Sequence, residues 1–299
     1  MASTTRQSAV LSTFLAFVFL PALVVAIRDP LITTLQTGST VRLIDGTTVT
    51  YIGCGDYVLL ESPSIGLMYQ SRNCVRGSSG AEASSTCALA LKCSSEADPV
   101  ELHATSNKLE GLIAGSALSN LNGVGEVIGR DVTITRMIAS FRLKCHSSGL
   151  QFDVLLREST AFLYFDVRTS IPLSLFGELK GLLGSFNGIQ EDDVSYRDGR
   201  LAKVGGASYI NAMDFPELDR VQDSWTVQKS ESLFTVDFES LCTTASRRHI
   251  LSSVLASPDS AFDKCMKHGL NGIPLQTCVF DYVVTGDDRF VSNAKLMRW

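Results

Sequence analysis

Short β-rich segments separated by turn residues fill the sequence between residue 27 and about residue 170. Apolar and polar residues alternate in several of them, so that Val132 and Ile134, or Phe152 and Val154, would lie on one face of a strand. Such alternation is typical of antiparallel sheets with one buried face. Roughly ten short strands with regular turns predict a mainly β fold, namely an antiparallel β-sandwich. The predicted strands cover residues 41–44, 48–51, 57–60, 87–93, 100–104, 108–113, 131–136, 137–144, 150–157 and 160–167.

The β pattern becomes sparse after this region. Residues 225–228 and 233–236 have the composition of two further short strands. We therefore expect the β domain to extend over residues 27–236.

The end of the chain has the pattern of helices. Residues 247–256 carry apolar side chains at helical spacing. Ser257 followed by Pro258 is a typical helix start, and Gly269 is a typical helix stop, so a second helix is predicted between them. We expect a small helical, cysteine-bearing extension over residues 237–299.

The first 26 residues have the features of a secretory signal peptide. Arg6 precedes an apolar stretch over residues 10–25, and small residues precede a cleavage site after residue 26. Pro21 interrupts the stretch, which favours a cleaved signal over an anchor helix, for which an unbroken run of about 20 apolar residues is usual. The sequence therefore predicts a secreted, extracellular protein that begins near Ile27 and has no membrane span in its mature part.

Composition and charge exclude several classes. Apolar residues make up 45% of the chain, which is too many for a disordered protein. The formal net charge is −5. A general nucleic-acid binder needs a basic face to neutralise phosphates, so we expect no nucleic-acid partner.

The eight cysteines predict disulfide bonds rather than a zinc site. Their number is even, no Cys-x-x-Cys pair occurs, and the four histidines are scattered. Local pairs are favoured: Cys74 with Cys87 or Cys93, across a small-residue segment at 75–86 that is predicted to be an exposed loop, and Cys265 with Cys278. The cysteines are Cys54, Cys74, Cys87, Cys93, Cys145, Cys242, Cys265 and Cys278.

One segment resembles a known family. Residues 181–188 are Gly-Leu-Leu-Gly-Ser-Phe-Asn-Gly, and the acidic pair Asp192-Asp193 follows. This order resembles the signature of the von Willebrand factor type D domain. Residues 43–60 resemble the opening strands of that domain, and residues 223–227 its closing strand. Leucine at 183, where the family usually has cysteine, is typical of the branch found in transmembrane mucin-like and sushi-domain-containing cell-surface proteins.

The acidic loop after this segment has the donors of a calcium site. Asn187, Asp192 and Asp193 offer one amide and two carboxylates, which are the hard oxygen ligands that Ca²⁺ prefers. Glycines at 184 and 188 let the backbone turn tightly. A solvated acidic turn is the common alternative for such a sequence. The resemblance implies two further ligands, the carboxylate of Asp45 and a carbonyl near Ile189, and thus a structural Ca²⁺ that ties the loop to the first hairpin.

The function implied by the resemblance is extracellular interaction. We expect partners among extracellular proteins or glycoproteins, including further copies of the chain, in adhesion or in matrix or mucus-type assembly. A soluble Ca²⁺-dependent, lectin-like module is the alternative. A secreted hydrolase ranks below both, because no nucleophile elbow, zinc-protease motif or P-loop occurs. The place to look for a catalytic set is His146 beside Ser147 and Ser148, where a polar turn is the commoner explanation.

Overall fold

The computed structural model describes residues 31–35, 40–76, 83–104, 109–118, 125–138, 140–158, 163–204, 215–235 and 258–295. Within these ranges the chain forms antiparallel strands followed by helices, which confirms the prediction of a mainly β fold with a helical C-terminal part. The predicted signal peptide and the predicted helix at 247–256 lie outside the described residues. The strands are Leu31–Leu35 (β1), Thr40–Arg42 (β2), Thr48–Thr50 (β3), Gly55–Ser62 (β4), Leu67–Arg76 (β5), Ala83–Lys92 (β6), Val100–Ala104 (β7), Leu109–Ile113 (β8), Ser116–Ala117 (β9), Gly125–Gly129 (β10), Val132–Arg136 (β11), Ser140–Cys145 (β12), Gln151–Glu158 (β13) and Leu163–Ile171 (β14). The helices are Phe215–Ser224 (α1), Pro258–Lys267 (α2), Gly272–Thr285 (α3) and Asp288–Lys295 (α4).

The strands form two antiparallel sheets. One has six strands in sequence order from β4 to β9, so each strand pairs with the next along the chain. The other has eight strands in the order β10-β11-β12-β13-β14-β1-β2-β3. In this second sheet β1 pairs with β14, with Leu31 opposite Ile171, so the first described strand depends on the last one.

The core lies between the two sheets. Val132, Ile134, Phe152 and Val154 are all buried, as their alternation predicts. The ring of Phe152 in the eight-stranded sheet contacts the ring of Tyr69 in the six-stranded sheet, with 4.6 Å between centroids. Side chains from both sheets belong to one continuous apolar cluster, which makes this pair of sheets a sandwich.

Disulfides link strands within and between the two sheets, and a further disulfide links two of the C-terminal helices. Cys74 pairs with Cys87 and Cys265 with Cys278, as favoured from the sequence. The alternative that Cys74 pairs with Cys93 is wrong, because Cys93 is bonded to Cys145 and so connects the two sheets. Cys54 is also disulfide-bonded.

The segment predicted as an exposed loop at 75–86 is strand at both of its described ends, and residues 77–82 lie outside the described residues. β5 continues to Arg76 and β6 begins at Ala83, while Ser84, Ser85 and Thr86 are buried. The small residues at 83–86 therefore pack in a strand. On β6, Ala88 and Ala90 form a shallow apolar surface with Phe234 lying on it.

The strand predicted at 233–236 is not formed by its described residues, 233–235. Residues 231–235, called the strap here, are held by side chains instead. Gln70 donates from Nε2 to the Glu231 carbonyl at 2.8 Å and accepts from the Leu233 amide at 2.9 Å. Buried Glu101 accepts from the Thr235 amide at 3.1 Å and from its hydroxyl at 2.7 Å. The backbone of the strap is therefore satisfied by side chains on the outer face of the six-stranded sheet, not by a strand ladder.

The predicted closing strand at 225–228 is also wrong. Helix α1 runs directly up to Trp225, and only an isolated bridge joins Thr226 to Tyr57. Leu218 and Val221 of α1 are buried at helical spacing, and this short apolar stripe favours a helix over a strand.

The last helix, α4, packs on the outer face of the eight-stranded sheet, while Phe280 of α3 belongs to the core cluster. The helix predicted from Ser257 to Gly269 is confirmed by α2, which is followed by Gly269 at φ +75°. The rings of Tyr164 on β14 and Phe290 on α4 are stacked at 5.7 Å, and the Asn293 amide donates to the Tyr164 hydroxyl at 2.6 Å. Among the described helices, none has both the length and the apolar character needed to cross a membrane.

Candidate metal centre

The segment 180–184 places the acidic loop beside the first hairpin. It runs along the edge of β4, where the Leu183 amide donates to the Leu59 carbonyl at 3.0 Å and the Leu183 carbonyl accepts from the Ile44 amide at 2.8 Å. Gly181 lies so close to β4 that a Cβ would collide with the Leu59 carbonyl. The glycine is required by this close approach, and the hairpin between β2 and β3 is brought against the loop as a result.

Asp45, at the turn of that hairpin, holds the loop through its carboxylate. Its Oδ2 accepts hydrogen bonds from three successive backbone amides, those of Asn187 at 3.1 Å, Gly188 at 2.6 Å and Ile189 at 3.1 Å. Successive amides pointing at one carboxylate form an anion-binding turn. Asp45 therefore lies at the loop, but this oxygen is already used to fix the backbone.

Asn187 and Ile189 also have internal partners. The Asn187 side chain accepts from the Ile189 amide at 2.9 Å and donates to Asp192 Oδ2 at 2.7 Å. The Ile189 carbonyl accepts from the Asp192 amide at 3.4 Å. These bonds shape the turn, while the second oxygen of Asp192, Oδ1, is buried and has no hydrogen-bond partner.

Asp193 is the most unusual group of the site. The residue is 1% exposed, and neither carboxylate oxygen makes a hydrogen bond of good geometry. Burial, together with the negative charges of Asp45 and Asp192, raises its pKa to about 8, although weak hydrogen bonds from the backbone of Ser185 and Asp45 lower the pKa in part. Gly184, at φ +91°, makes room for this carboxylate, because a Cβ there would collide with Asp193 Oδ1.

The carboxylates of the loop do not by themselves form a metal-binding group. Within the described ranges, no three His, Cys, Asp or Glu side chains come together as such a group. Asp45 and Asp192 are close enough to raise the pKa of Asp193, and Asp192 Oδ1 is buried without a hydrogen bond of good geometry, as are the Asp193 oxygens. An unpartnered buried carboxylate is costly, and a hard divalent cation is the kind of partner that would remove this cost.

Substitution of Asp45 tests its role as the anchor of the loop. In chelator at pH 5.5, where Asp193 is largely protonated, we expect Asp45→Ala to lower the free energy of unfolding by about 1.5–3 kcal/mol, because three amides lose a charged acceptor. Urea denaturation would measure the loss. Asp198→Ala is the control, since exposed Asp198 accepts one backbone amide and the side chain of Arg200, and its loss should cost less than about 1 kcal/mol. Equal stabilities of Asp45→Ala and the parent protein would contradict the anchoring role.

His146, Ser147 and Ser148, the residues considered for a hydrolytic active site, do not have the geometry of a catalytic set. His146 Nε2 is 2.7 Å from the Thr133 hydroxyl, whereas the Ser147 hydroxyl donates to Asp131 Oδ2 at 2.5 Å. The Ser148 hydroxyl accepts from the Leu150 amide at 3.4 Å. The serines are thus not hydrogen-bonded to the histidine, and the contacts are those of a polar turn.

The sequence did not indicate the close contacts that shape this site. Gly46 lies against the Gln190 side chain, and the Thr47 hydroxyl donates to the Gln190 carbonyl at 3.4 Å, so the hairpin touches the acidic loop at more than Asp45. The isolated glycine at 46 signals a turn, but nothing local in the sequence identifies a neighbour more than a hundred residues away.

The contacts around Asp193 are features of the structure and do not depend on a family assignment. The resemblance to the von Willebrand factor type D domain stays a prediction that depends on the segment 181–193 and on the hairpin of Asp45. A search of protein-family models finds none that matches this chain.

Proposed function

We propose that this protein is an exported, disulfide-stabilised interaction module whose acidic loop binds Ca²⁺ as a structural ion. The observation that carries the proposal is the Asp193 carboxylate, which is 1% exposed, makes no hydrogen bond of good geometry, and lies beside two further acidic side chains. Ca²⁺ accepts mixed carboxylate, amide and carbonyl ligands, and the predicted ligand set adds oxygens of Asn187 and Ile189 to the carboxylates. Bound there, it would neutralise Asp193 and Asp192 and fix the loop that Asp45 already holds.

The burial of Asp193 favours a structural ion over an ion that contacts a ligand directly. A lectin-like module needs coordination positions open to solvent, where a sugar hydroxyl can replace water. Asp193 is closed off by Gly184 and by the core on which the segment 180–184 lies. The ion would therefore support a surface rather than form it.

The proposed setting is extracellular. Buried disulfides at Cys74–Cys87, Cys93–Cys145 and Cys265–Cys278 fit an oxidising compartment. With the signal-like first 26 residues, they support secretion and a role in adhesion or in matrix or mucus-type assembly, through contacts with proteins, glycoproteins or further copies of the chain. We expect no catalytic activity and no nucleic-acid partner.

The ion is tested by thermal unfolding with and without Ca²⁺ at two pH values. In metal-free protein the folded-state pKa of Asp193 is raised, so stability is greatest below its unfolded pKa and is lost as the pH rises towards about 8, with a slope of at most about 1.4 kcal/mol per pH unit. At pH 8, a Ca²⁺ concentration of about one hundred times Kd should raise Tm by roughly 5–10 °C. At pH 5.5 the increase should be smaller, because Ca²⁺ must displace a proton.

Asp193→Asn should remove both the response to Ca²⁺ and the corresponding part of the pH dependence. Asp198→Asn, which changes the same charge on the exposed surface, should keep both. Calorimetry of the three proteins in chelator and in Ca²⁺ gives the comparison. The same Tm for the parent protein in chelator and in Ca²⁺ at pH 8 would end the proposal of a calcium site.

A further inference from the structure

Three bulky apolar side chains are exposed next to the acidic loop. Leu173 and Phe176 are each 55% exposed and Ile189 is 50% exposed. Leu173 and Phe176 belong to one tight turn, where the Phe176 amide donates to the Leu173 carbonyl at 3.0 Å. Large apolar side chains grouped on a surface are typical of interaction sites, whereas isolated ones need no explanation. We call Leu173, Phe176 and Ile189 the apolar surface.

The contacts between its two segments make this surface one rigid feature. The Gly177 amide donates to the Phe186 carbonyl at 2.6 Å, and the ring of Phe176 lies edge-on to the buried ring of Phe186 at 5.3 Å. The Phe176 ring also lies beside Gly188, 3.8 Å from where a Cβ would be. The Ile189 amide donates to the Asp45 carboxylate, so the main chain is held by hydrogen bonds on both sides of the apolar surface. A preorganised surface loses little entropy when it binds.

The nearest charged side chains along both segments are acidic. Glu178 follows Phe176 by two residues and Glu191 follows Ile189 by two residues, and both are exposed. Glu178 accepts from the Ser64 hydroxyl at 2.6 Å, a neutral partner that leaves its charge in place. Lys180 is turned towards Glu61 at 3.3 Å. The apolar surface therefore has an acidic rim, on a chain with a net charge of −5.

We propose that the apolar surface docks a protein segment that carries an aliphatic or aromatic anchor flanked by lysine or arginine. The apolar side chains would bury the anchor, as aromatic and aliphatic side chains do at the centre of interfaces. The acidic rim selects the charge of the partner by complementarity and disfavours an anionic lipid surface. This inference deepens the proposed interaction role and supplies its contact surface.

The docking surface does not require the ion. The turn at Ile189 is fixed by Asp45 and Asn187 through protein bonds, so docking should persist in chelator if the calcium proposal fails. If Ca²⁺ does bind at Asp192 and Asp193, it should change the affinity only modestly, by reducing the negative charge beside the rim. Measurement in both conditions therefore separates the failure of one proposal from the failure of the other.

The test uses a synthetic peptide with leucine and phenylalanine anchors between lysines, labelled for fluorescence anisotropy. We expect saturable binding to the full chain, and binding weakened roughly tenfold or more by the double variant Phe176→Ser/Ile189→Ser. A peptide with the lysines replaced by glutamates, and one with the anchors replaced by serines, should each bind at least about tenfold more weakly. Ile128→Ser, which removes a still more exposed apolar side chain on β10, is the control and should bind as the parent protein does.

Several outcomes would overturn the inference. These are absence of saturable binding up to about 1 mM peptide, equal binding by the parent and the double variant, or equal loss in Ile128→Ser. Preferential binding to vesicles of anionic lipid, or concentration-dependent dimerisation that Phe176→Ser abolishes, would assign the surface to a different occupant. Circular dichroism of the double variant must match the parent protein, and Glu178→Lys/Glu191→Lys, which keeps the apolar side chains, should reverse the peptide preference by charge.

Discussion

Replacing Trp225 by alanine is expected to lower the free energy of unfolding by about 3–5 kcal/mol, as for other large core side chains. Trp225 is fully buried where helix α1 ends, and three parts of the fold meet on it. Its indole donates to the Ser195 carbonyl at 2.8 Å, and its own carbonyl accepts from the Val58 amide at 2.9 Å. The alanine variant loses the apolar area, leaves a cavity, and leaves the Ser195 carbonyl without its donor.

Trp225→Phe separates the loss of the hydrogen bond from the loss of apolar packing. Phenylalanine keeps most of the ring volume but cannot donate to Ser195, so we expect a loss of about 1–2 kcal/mol. Leu201→Ala, at an exposed position, should stay within about 0.5 kcal/mol of the parent protein. Urea unfolding should be followed by circular dichroism, because the substitution removes one of only two tryptophans in the chain. A loss below about 1 kcal/mol in Trp225→Ala would show that this residue is not part of the core.

Removing the disulfide between the sheets should have a comparable effect. The Cys93–Cys145 bond closes a loop with a sequence separation of 52, for which the chain-entropy model gives about 4 kcal/mol of stabilisation. The Cys265–Cys278 bond closes a loop with a separation of 13, for which the same model gives about 3 kcal/mol. All four cysteines are fully buried, so double alanine variants lose similar side-chain contacts and the comparison isolates the loop.

The location of the two effects should also differ. Cys93→Ala/Cys145→Ala should destabilise the sandwich as a whole, because the bond joins its two sheets. Cys265→Ala/Cys278→Ala should act first on α2 and α3, which this bond joins. Hydrogen exchange of the two variants would show this, with faster exchange across both sheets in the first and in the helices in the second. If the first variant exchanged faster only near residues 93 and 145, the bond would not be a global constraint.

Periodicity in the sequence was sufficient for many of the strands and for helix α2, but not for β1, β5, β10, α3 or α4. The alternation at Val132, Ile134, Phe152 and Val154 placed the buried face correctly, because strand side chains alternate whatever the partner strand is. The predicted start at Pro258 and the stop at Gly269 bounded α2 for the same local reason. These features depend only on neighbours along the chain.

Errors arose where distant contacts decide the structure. The aromatic and β-branched residues at 233–236 suggested a strand, but Gln70 and Glu101 satisfy that backbone from another part of the chain. The small residues near Ser84 suggested a loop, whereas they are buried in strand β6. Neither Gln70 nor Glu101 is marked in the sequence as a partner of the strap.

The candidate metal centre was predictable only in part. The loop donors at Asn187, Asp192 and Asp193 follow from the local sequence, while Asp45 was added through the resemblance. That Asp45 fixes three amides, and that Asp193 is the buried and unpartnered carboxylate, follows from the three-dimensional contacts alone.

The order of the strands implies an order of folding. Each strand of the six-stranded sheet pairs with its successor, so this sheet can form as soon as its residues have been synthesised and exported. The pairing of β1 with β14, and the bond of Asp45 to Asn187, which follows it by 142 residues, can form only when the later residues are present. Until then β1 has an unpaired edge, which is prone to wrong pairing. The acidic loop is consequently assembled late, so ion uptake would report completion of the sandwich.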